Sequence, residues 1–325
     1  MLEFNFQSAH SYQVDLIKRA RELARSSNRL AVEFLIERIG VRVTRTRDES
    51  YLAEALHYLC GNLFAHANMP IEAGEAIAAS NVLPHSGGDA LFYDAVTEGV
   101  ALARAQDEAI NGGVPPILIA SMPRAASAAL TQTLAKITGA PILRVSIGDF
   151  PNYWLVPFWL NRFLRGGAIL HDHFGASDYN LNLLREFQIK TVHVLLRDPR
   201  AAAVSFAKFG LGPEVIEDEI FCAFSNRYIP WLHGWIDAER GGKINIHWVR
   251  SDDVTGDSHR LNAVVTAILG AQSRFATRVQ GTTLAIANVS GQKPDAWRES
   301  VSPGLQKKMW DLVPSEIIEV LELRQ

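Results

Sequence analysis

Pro116-Ile-Leu-Ile-Ala-Ser121-Met-Pro-Arg124-Ala-Ala-Ser127-Ala-Ala-Leu130 is the stretch whose reading decides the fold. Ile117 to Ser121 is a short run of apolar or small residues and reads as a buried strand. Met122-Pro123-Arg124 breaks it, and Ala125 to Ile137 then has the composition of a helix. A strand that turns abruptly into a helix leaves backbone N–H groups unpaired at the helix start, and the positive end of the helix dipole points the same way. Such a turn is a ready anion site. Arg124 adds a permanent charge and a planar fork of donors suited to phosphate or sulfate. Taken alone, the segment is equally consistent with an ordinary strand–helix corner carrying a surface arginine.

A second segment has the same form. Thr191-Val-His-Val-Leu-Leu196 runs like a buried strand and ends in Arg197-Asp198-Pro199-Arg200-Ala-Ala-Ala-Val204-Ser205-Phe206. Asp198 suits an N-cap and Pro199 the first turn of a helix. Arg197 then stands at the strand's C-terminal end and Ser205 about two turns into the helix. Ligands of open α/β sheets gather at the C-terminal ends of strands, so both corners are expected to face one crevice.

Together these residues resemble the PAPS-dependent sulfotransferase family. The family's first motif, roughly Pro, Lys or Arg, Ser, Gly, Ser or Thr, then Thr or Ser, falls on Pro123, Arg124, Ala125, Ala126, Ser127 and Ala128. Its second motif, Arg-Asp-Pro with a Ser eight residues after the Arg, falls on Arg197 and Ser205. Ile246-His-Trp-Val-Arg250-Ser-Asp-Asp253 resembles a later family strand. Gly291-Gln-Lys293-Pro-Asp-Ala-Trp297-Arg298 resembles the late loop that closes over the nucleotide. The resemblance spans about residues 115 to 323. It implies PAPS as co-substrate, PAP as product and a hydroxyl-bearing acceptor. Arg124, Ala125, Ala126, Ser127 and Ala128 would hold the 5′ phosphosulfate. Arg197 and Ser205 would hold the 3′ phosphate, with Gly291 and Lys293 closing over the nucleotide.

The chain departs from the family at Ala126, where a Gly is usual, and at Ala128, where a hydroxyl is usual. An Ala is expected to hold the tight turn only with a negative φ. Ser290 replaces an Arg that often precedes the late Gly, a role Lys293 could take. These departures keep open a second reading, a degenerate nucleotide-binding fold acting as an interaction protein. A P-loop NTPase would require Gly-x-x-x-x-Gly-Lys-Ser/Thr, and neither the second Gly nor the Lys is present.

Between the two corners, Gly166-Gly-Ala-Ile-Leu170-His171-Asp172-His173-Phe174 reads as a turn, a short strand and a polar cluster. The resemblance places the catalytic base on His173. A group of near-neutral pKa fits removal of a proton from the acceptor hydroxyl. His171 and His173 share one strand face while Asp172 points away. Two ligands without an evident third argue against a metal site. His193 and His247, inside apolar strands, read as satisfied core histidines.

At 325 residues the chain can bury a large core. The net charge of −3 excludes wholesale affinity for nucleic acid or an anionic membrane. Arginines at a few points, not a basic surface, would do the anion binding, and Arg124 and His173 are the expected catalytic residues. Cys60 and Cys222 are expected to be buried free thiols, which favours a reducing compartment. No stretch reads as a signal sequence or membrane span, so a cytoplasmic location is expected.

Residues 1–112 are rich in Ala, Leu, Glu and Arg and periodic in the helical sense, as at Leu16, Ala20, Leu23 and Ala24. Helices are predicted near 11–26, 29–39, 48–67, 71–80 and 88–110. Gly61, Phe64, Asn68, Ala73 and Ile77 stand at tetratricopeptide-like offsets, but a helical bundle packed on the second domain fits better. A protein contact through these helices is a further expectation. Asn111-Gly-Gly-Val-Pro-Pro116 is the joint, and 113–325 is the expected sulfotransferase domain. The fold expected there is α/β, with a mostly parallel central sheet flanked by helices and a P-loop-like turn. Pro213–Glu239 is predicted as one helix with an aromatic stripe at Phe221, Phe224, Tyr228, Trp231 and Trp235. Lys243–Val249 is predicted as a strand, and Leu261–Leu269 and Pro303–Leu323 as helices. The aromatic run Tyr153-Trp-Leu-Val-Pro-Phe-Trp159-Leu reads either as core or, slightly better, as the wall of an acceptor pocket. Its rings favour a glycan or glycolipid hydroxyl as acceptor.

Overall fold

Both apolar runs that flank the proposed corners form parallel strands at the centre of a sheet. The computed structural model describes residues 6–39, 49–80, 92–212, 216–270, 275 and 296–323. Five helices come first: α1 (Phe6–Ala24), α2 (Asn28–Ile39), α3 (Glu49–His66), α4 (Pro70–Ser80) and α5 (Phe92–Asn111). The remainder alternates. Strand β1 (Ile117–Ser121) leads to α6 (Ser127–Thr138), then to β2 (Ile142–Leu143) and a hairpin of β3 (Ser146–Asp149) and β4 (Asn152–Leu155). Helix α7 (Pro157–Phe163), β5 (Ile169–Asp172), α8 (Asp178–Glu186), β6 (Thr191–Leu196) and α9 (Pro199–Leu211) follow.

β7 (Asn245–Arg250) completes a five-stranded sheet of order β2-β5-β1-β6-β7 in which all the pairings are parallel. This is the expected α/β architecture, with helices flanking the sheet. β1 lies between β5 and β6, and the register sets Ala120 opposite Asp172 and Ser121 opposite Leu195. The chain runs out to one side of β1 and then to the other. The C-terminal ends of β5, β1 and β6 therefore meet at a switch point, where ligands of such sheets bind. β1 is buried along its whole length, as an interior parallel strand must be.

The helical region packs onto that sheet domain through a defined patch. Leu16, Ile17, Leu35, Leu59, Leu63 and Ile77 share one apolar cluster with Ile147, Val156 and Trp159 of the β3–β4 and α7 region. Gly61 permits the close approach of α3 and α4, because a Cβ there would lie 2.8 Å from Ile77 Cδ1. Helix α5 instead joins the sheet domain's own core through Ala109, and buried Gln106 donates to Gly166 O at 2.8 Å. No helix among the described residues is long and apolar enough to cross a membrane.

Three expectations need correction. The predicted helix over Pro213–Glu239 is α10 (Glu217–Ala223), a π turn (Phe224–Tyr228) and α11 (Ile229–Arg240), with residues 213–215 outside the described set. Pro230 has no N–H to bond back along the helix, and the register widens just before it. The predicted helix over Pro303–Leu323 is likewise two, α14 (Pro303–Trp310) and α15 (Ser315–Leu321), because Pro314 ends the first and opens the second. Cys222 is exposed on α10, and only Cys60 is buried. Burial pushes the Cys60 thiol up to about 11. After β7 the chain forms α12 (Ser251–Thr255) and α13 (Ser258–Leu269), and a 3-10 turn spans Ala296–Ser300.

Candidate functional site

At the first corner the chain reverses within Met122 to Ala126. Arg124 and Ala126 both take left-handed backbone, with φ of 68° and 64°. The expectation of a negative φ at Ala126 is therefore overturned, since so short a turn demands the left-handed region. Ala126 is the N-cap of α6 and offers no side-chain cap. Among the described residues the amides of Ala126, Ser127 and Ala128 have no acceptor. Ala125 differs: its side chain is fully buried and its amide donates to Met122 O at 3.2 Å.

Left-handed backbone costs a residue with a Cβ roughly 1–2 kcal/mol, partly offset by the greater chain entropy glycine loses on folding. Ala126→Gly is therefore expected to raise stability by about 0.5 kcal/mol. Ala125→Gly, which deletes a buried methyl, should lower it. Thermal unfolding of both variants checks this, and a destabilised Ala126→Gly protein would overturn the backbone account.

The second corner is built as predicted. Asp198 caps α9 by accepting from Arg200 N at 3.0 Å, and Pro199 occupies its first turn. Asp198 also takes both arms of the Arg200 guanidinium, at 3.0 and 2.8 Å. That guanidinium is buried, 5.1 Å from the Trp297 ring centroid and 4.8 Å from that of Trp310. The arginine thus ties the 3-10 turn and α14 to the start of α9.

The two corners meet. Arg124 Nε donates to Ser205 Oγ at 3.0 Å, and Arg197 Nη1 donates to Arg124 O at 3.3 Å. Tyr228, in the π turn, donates toward both Pro123 O and Ala202 O at 3.3 Å, bracing one corner against the other. The aromatic stripe is thus core at Phe224, Tyr228, Trp231 and Trp235, and two of these also brace the site: Tyr228, and Trp231, whose Nε1 donates toward His173 O at 3.2 Å and Phe174 O at 3.1 Å. Arg124, Ala126, Ser127, Ala128, Arg197 and Ser205 all line one cleft of about 1520 Å³. Lys208, Arg227 and Arg298 add positive charge to it. Gly291 and Lys293 lie outside the described residues.

At the end of β5, Ser121 organises both histidines. His173 Nδ1 stands 2.8 Å from Ser121 O, which can only accept, so Nδ1 carries the proton. Ser121 Oγ lies 2.7 Å from His171 Nε2 and 3.0 Å from His173 Nδ1. The hydroxyl therefore does not donate to His173, and its contact with His171 Nε2 ties the second ring to the same residue. His173 Nε2 keeps a lone pair with no hydrogen-bond partner among the described residues. Burial lowers the pKa of both rings, that of His171 to about 3. Asp172 points the other way and accepts from Arg144 Nε at 3.2 Å. Burial alone would raise its pKa, but Arg144 and the flanking histidines hold it below the usual range. His193 and His247 face each other across β6 and β7, with their Nδ1 atoms 2.8 Å apart, and satisfy one another.

A second, polar cavity of about 450 Å³ lies between α3 and the ends of β3, β4 and β5. Asp149, Tyr153 and His173 line both spaces. Tyr58, Asn62 and His66 of α3, and Arg144, were not singled out in the sequence. One signal was present: Tyr58, Asn62 and His66 recur every four residues on a helix whose Leu59, Leu63 and Phe64 form core.

No family model matches the sequence, and no curated protein matches it. In structure the chain is similar to mouse sulfotransferase SULT7A1 complexed with PAP, at 14% identity and a TM-score of 0.41, over 67% of this chain and 90% of that one.

Proposed function

We propose that this chain is a PAPS-dependent sulfotransferase, transferring a sulfuryl group from PAPS to an acceptor hydroxyl of a glycan or glycolipid and releasing PAP. One observation carries the reading. His173, with an unpartnered Nε2, stands in the wall shared by the basic cleft and the polar cavity. A base in that wall reaches a hydroxyl in the cavity while the donor lies in the cleft. The acceptor oxygen forms its bond to sulfur as the bond from sulfur to the 5′ phosphate oxygen breaks, and Nε2 takes the hydroxyl proton.

The first corner supplies charge stabilisation. Arg124 and the amides of Ala126, Ser127 and Ala128 face the place where negative charge gathers on the departing phosphate oxygen. Arg197 and Ser205 are assigned to the 3′ phosphate. Arg197 is half-buried, which lowers its pKa without discharging it, and a partly desolvated guanidinium binds an anion more strongly than one in water.

Calorimetry with PAP and AMP tests the 3′ site. The protein is expected to prefer PAP by roughly tenfold to a hundredfold, the worth of one charged hydrogen bond of about 1.5–3 kcal/mol. Arg197→Ala should weaken PAP while scarcely changing AMP, and Ser205→Ala should do the same less strongly. Equal affinity for AMP and PAP in the wild-type protein would remove the 3′ site and the sulfotransferase reading with it. PAP binding without turnover of PAPS against an acceptor panel would leave the interaction-protein reading.

A further inference from the structure

We infer that α3 forms part of the acceptor wall and that the 450 Å³ cavity takes one or two rings of a neutral carbohydrate. The chemistry at that pocket rests on the sulfotransferase reading, but the binding does not. The volume lies toward the small end of the ~300–1,000 Å³ typical of ligand pockets, which suits a compact molecule and not a long chain.

Charge in the wall is internally matched. Arg144 Nε faces Asp172 Oδ2 at 3.2 Å, and His66 Nδ1 faces Asp149 Oδ2 at 2.9 Å at the rim. Each pairing favours the charged forms: the Asp149 hydrogen bond raises the His66 pKa, and the His66 contact lowers that of Asp149. With these charges facing opposite partners, the cavity offers little to an ionic ligand. It does offer hydrogen bonds. Asn62 Nδ2 is turned to Tyr58 O at 3.0 Å, which leaves its carbonyl oxygen available to a ligand hydroxyl. Ser146 is 1% exposed, and its hydroxyl approaches Asp172 without completing a hydrogen bond.

The same wall carries the rings of Tyr58 and Tyr153. Tyr153 is held between neighbours, 5.9 Å from the Arg144 guanidinium and 6.0 Å from the His173 ring. Burial raises its phenol to about 12, so it stays a neutral donor. A sugar ring has a rim of hydroxyls and a C–H face, and this wall has complementary groups for each. An aliphatic or simple phenolic acceptor would leave the polar lining unpaired, which costs binding. The four-residue spacing of Tyr58, Asn62 and His66 places this lining on one side of α3, whose Leu56, Leu59, Cys60 and Leu63 belong to the helical core.

Saturation-transfer NMR on the full chain with PAP present tests this, using methyl glycosides of neutral hexoses and lactose beside glucuronate, 4-nitrophenol and octanol. Ring protons of at least one neutral sugar should receive saturation, and the other three probes should receive less. Tyr58→Ala and Asn62→Ala should each weaken that sugar tenfold or more. Tyr58→Phe, which keeps the ring, should retain binding and certify that position 58 tolerates change. PAP affinity should not move in any of these variants. Preference for glucuronate, 4-nitrophenol or octanol, no neutral sugar bound, or α3 variants that bind like wild type would overturn the inference. Sugar binding without PAP binding would instead overturn only the sulfotransferase reading.

Discussion

Replacing His173 with Asn is expected to lower kcat by about 10²–10⁴, the usual worth of a positioned general base, and to leave PAP affinity nearly intact. The expectation follows from which nitrogen is free. Ser121 O holds the proton on Nδ1, so Nε2 is the nitrogen left to accept, on a residue that lines both spaces. Asn can keep a hydrogen bond to Ser121 O but cannot accept a full proton. Burial pulls the ring below its ordinary value of 6.5, so the neutral form persists at neutral pH and the acid limb of kcat lies below 6.5. The stability effect has the same sign. The unfolded ring takes up a proton near 6.5 while the folded one resists, so stability is full above that pH and is lost as pH falls. Steady-state kinetics and calorimetry on the variant decide the matter. Normal turnover would transfer the role to His171 or Asp172, and each would have to release its present partner, Ser121 or Arg144.

Arg124→Ala is expected to reduce kcat/KM by about 10²–10³, corresponding to roughly 2.7–4 kcal/mol for a preorganised donor, and to weaken PAP by less. The guanidinium is already oriented, through Nε to Ser205 Oγ and by its position 4.9 Å from the Phe209 ring centroid. Orientation before the reaction is what makes such a donor act on the transition state more than on the ground state. Arg124→Lys keeps the charge but loses the fork and should recover part of the rate. Equal losses in PAP affinity and kcat/KM for Arg124→Ala would assign the residue to uniform binding of the phosphate.

Much of the site was legible because its signals are local. Ile117–Ser121 and Thr191–Leu196 are apolar runs ended by turn residues, and Asp198-Pro199 is a cap followed by a first-turn proline. Two stretches read as single helices are interrupted beside a proline, by a π turn before Pro230 and by a break before Pro314. The positive φ of Ala126 was not legible. Composition makes alanine a helix former, and only the tight reversal between β1 and α6 forces it into the left-handed region. Tyr58, Asn62 and His66 look like the wet side of a bundle helix until β3 and β4 are packed over them.

The sequence by itself determined the α/β class, the order of its two anion-competent corners, the helical character of its first third and the residue types at each corner. These follow from period, capping and turn chemistry, all of which act within a few residues. Tertiary structure alone decided that Arg124 meets Ser205 across 81 positions and that Ser121 touches both histidines and holds the His173 proton on Nδ1. It also placed α3 as the far wall of a cavity that opens at His173. The physical reason is that a parallel sheet joins strands through long crossovers. Side chains at the strand ends become neighbours through strand order and register, which depend on the burial of the whole core and not on any one segment.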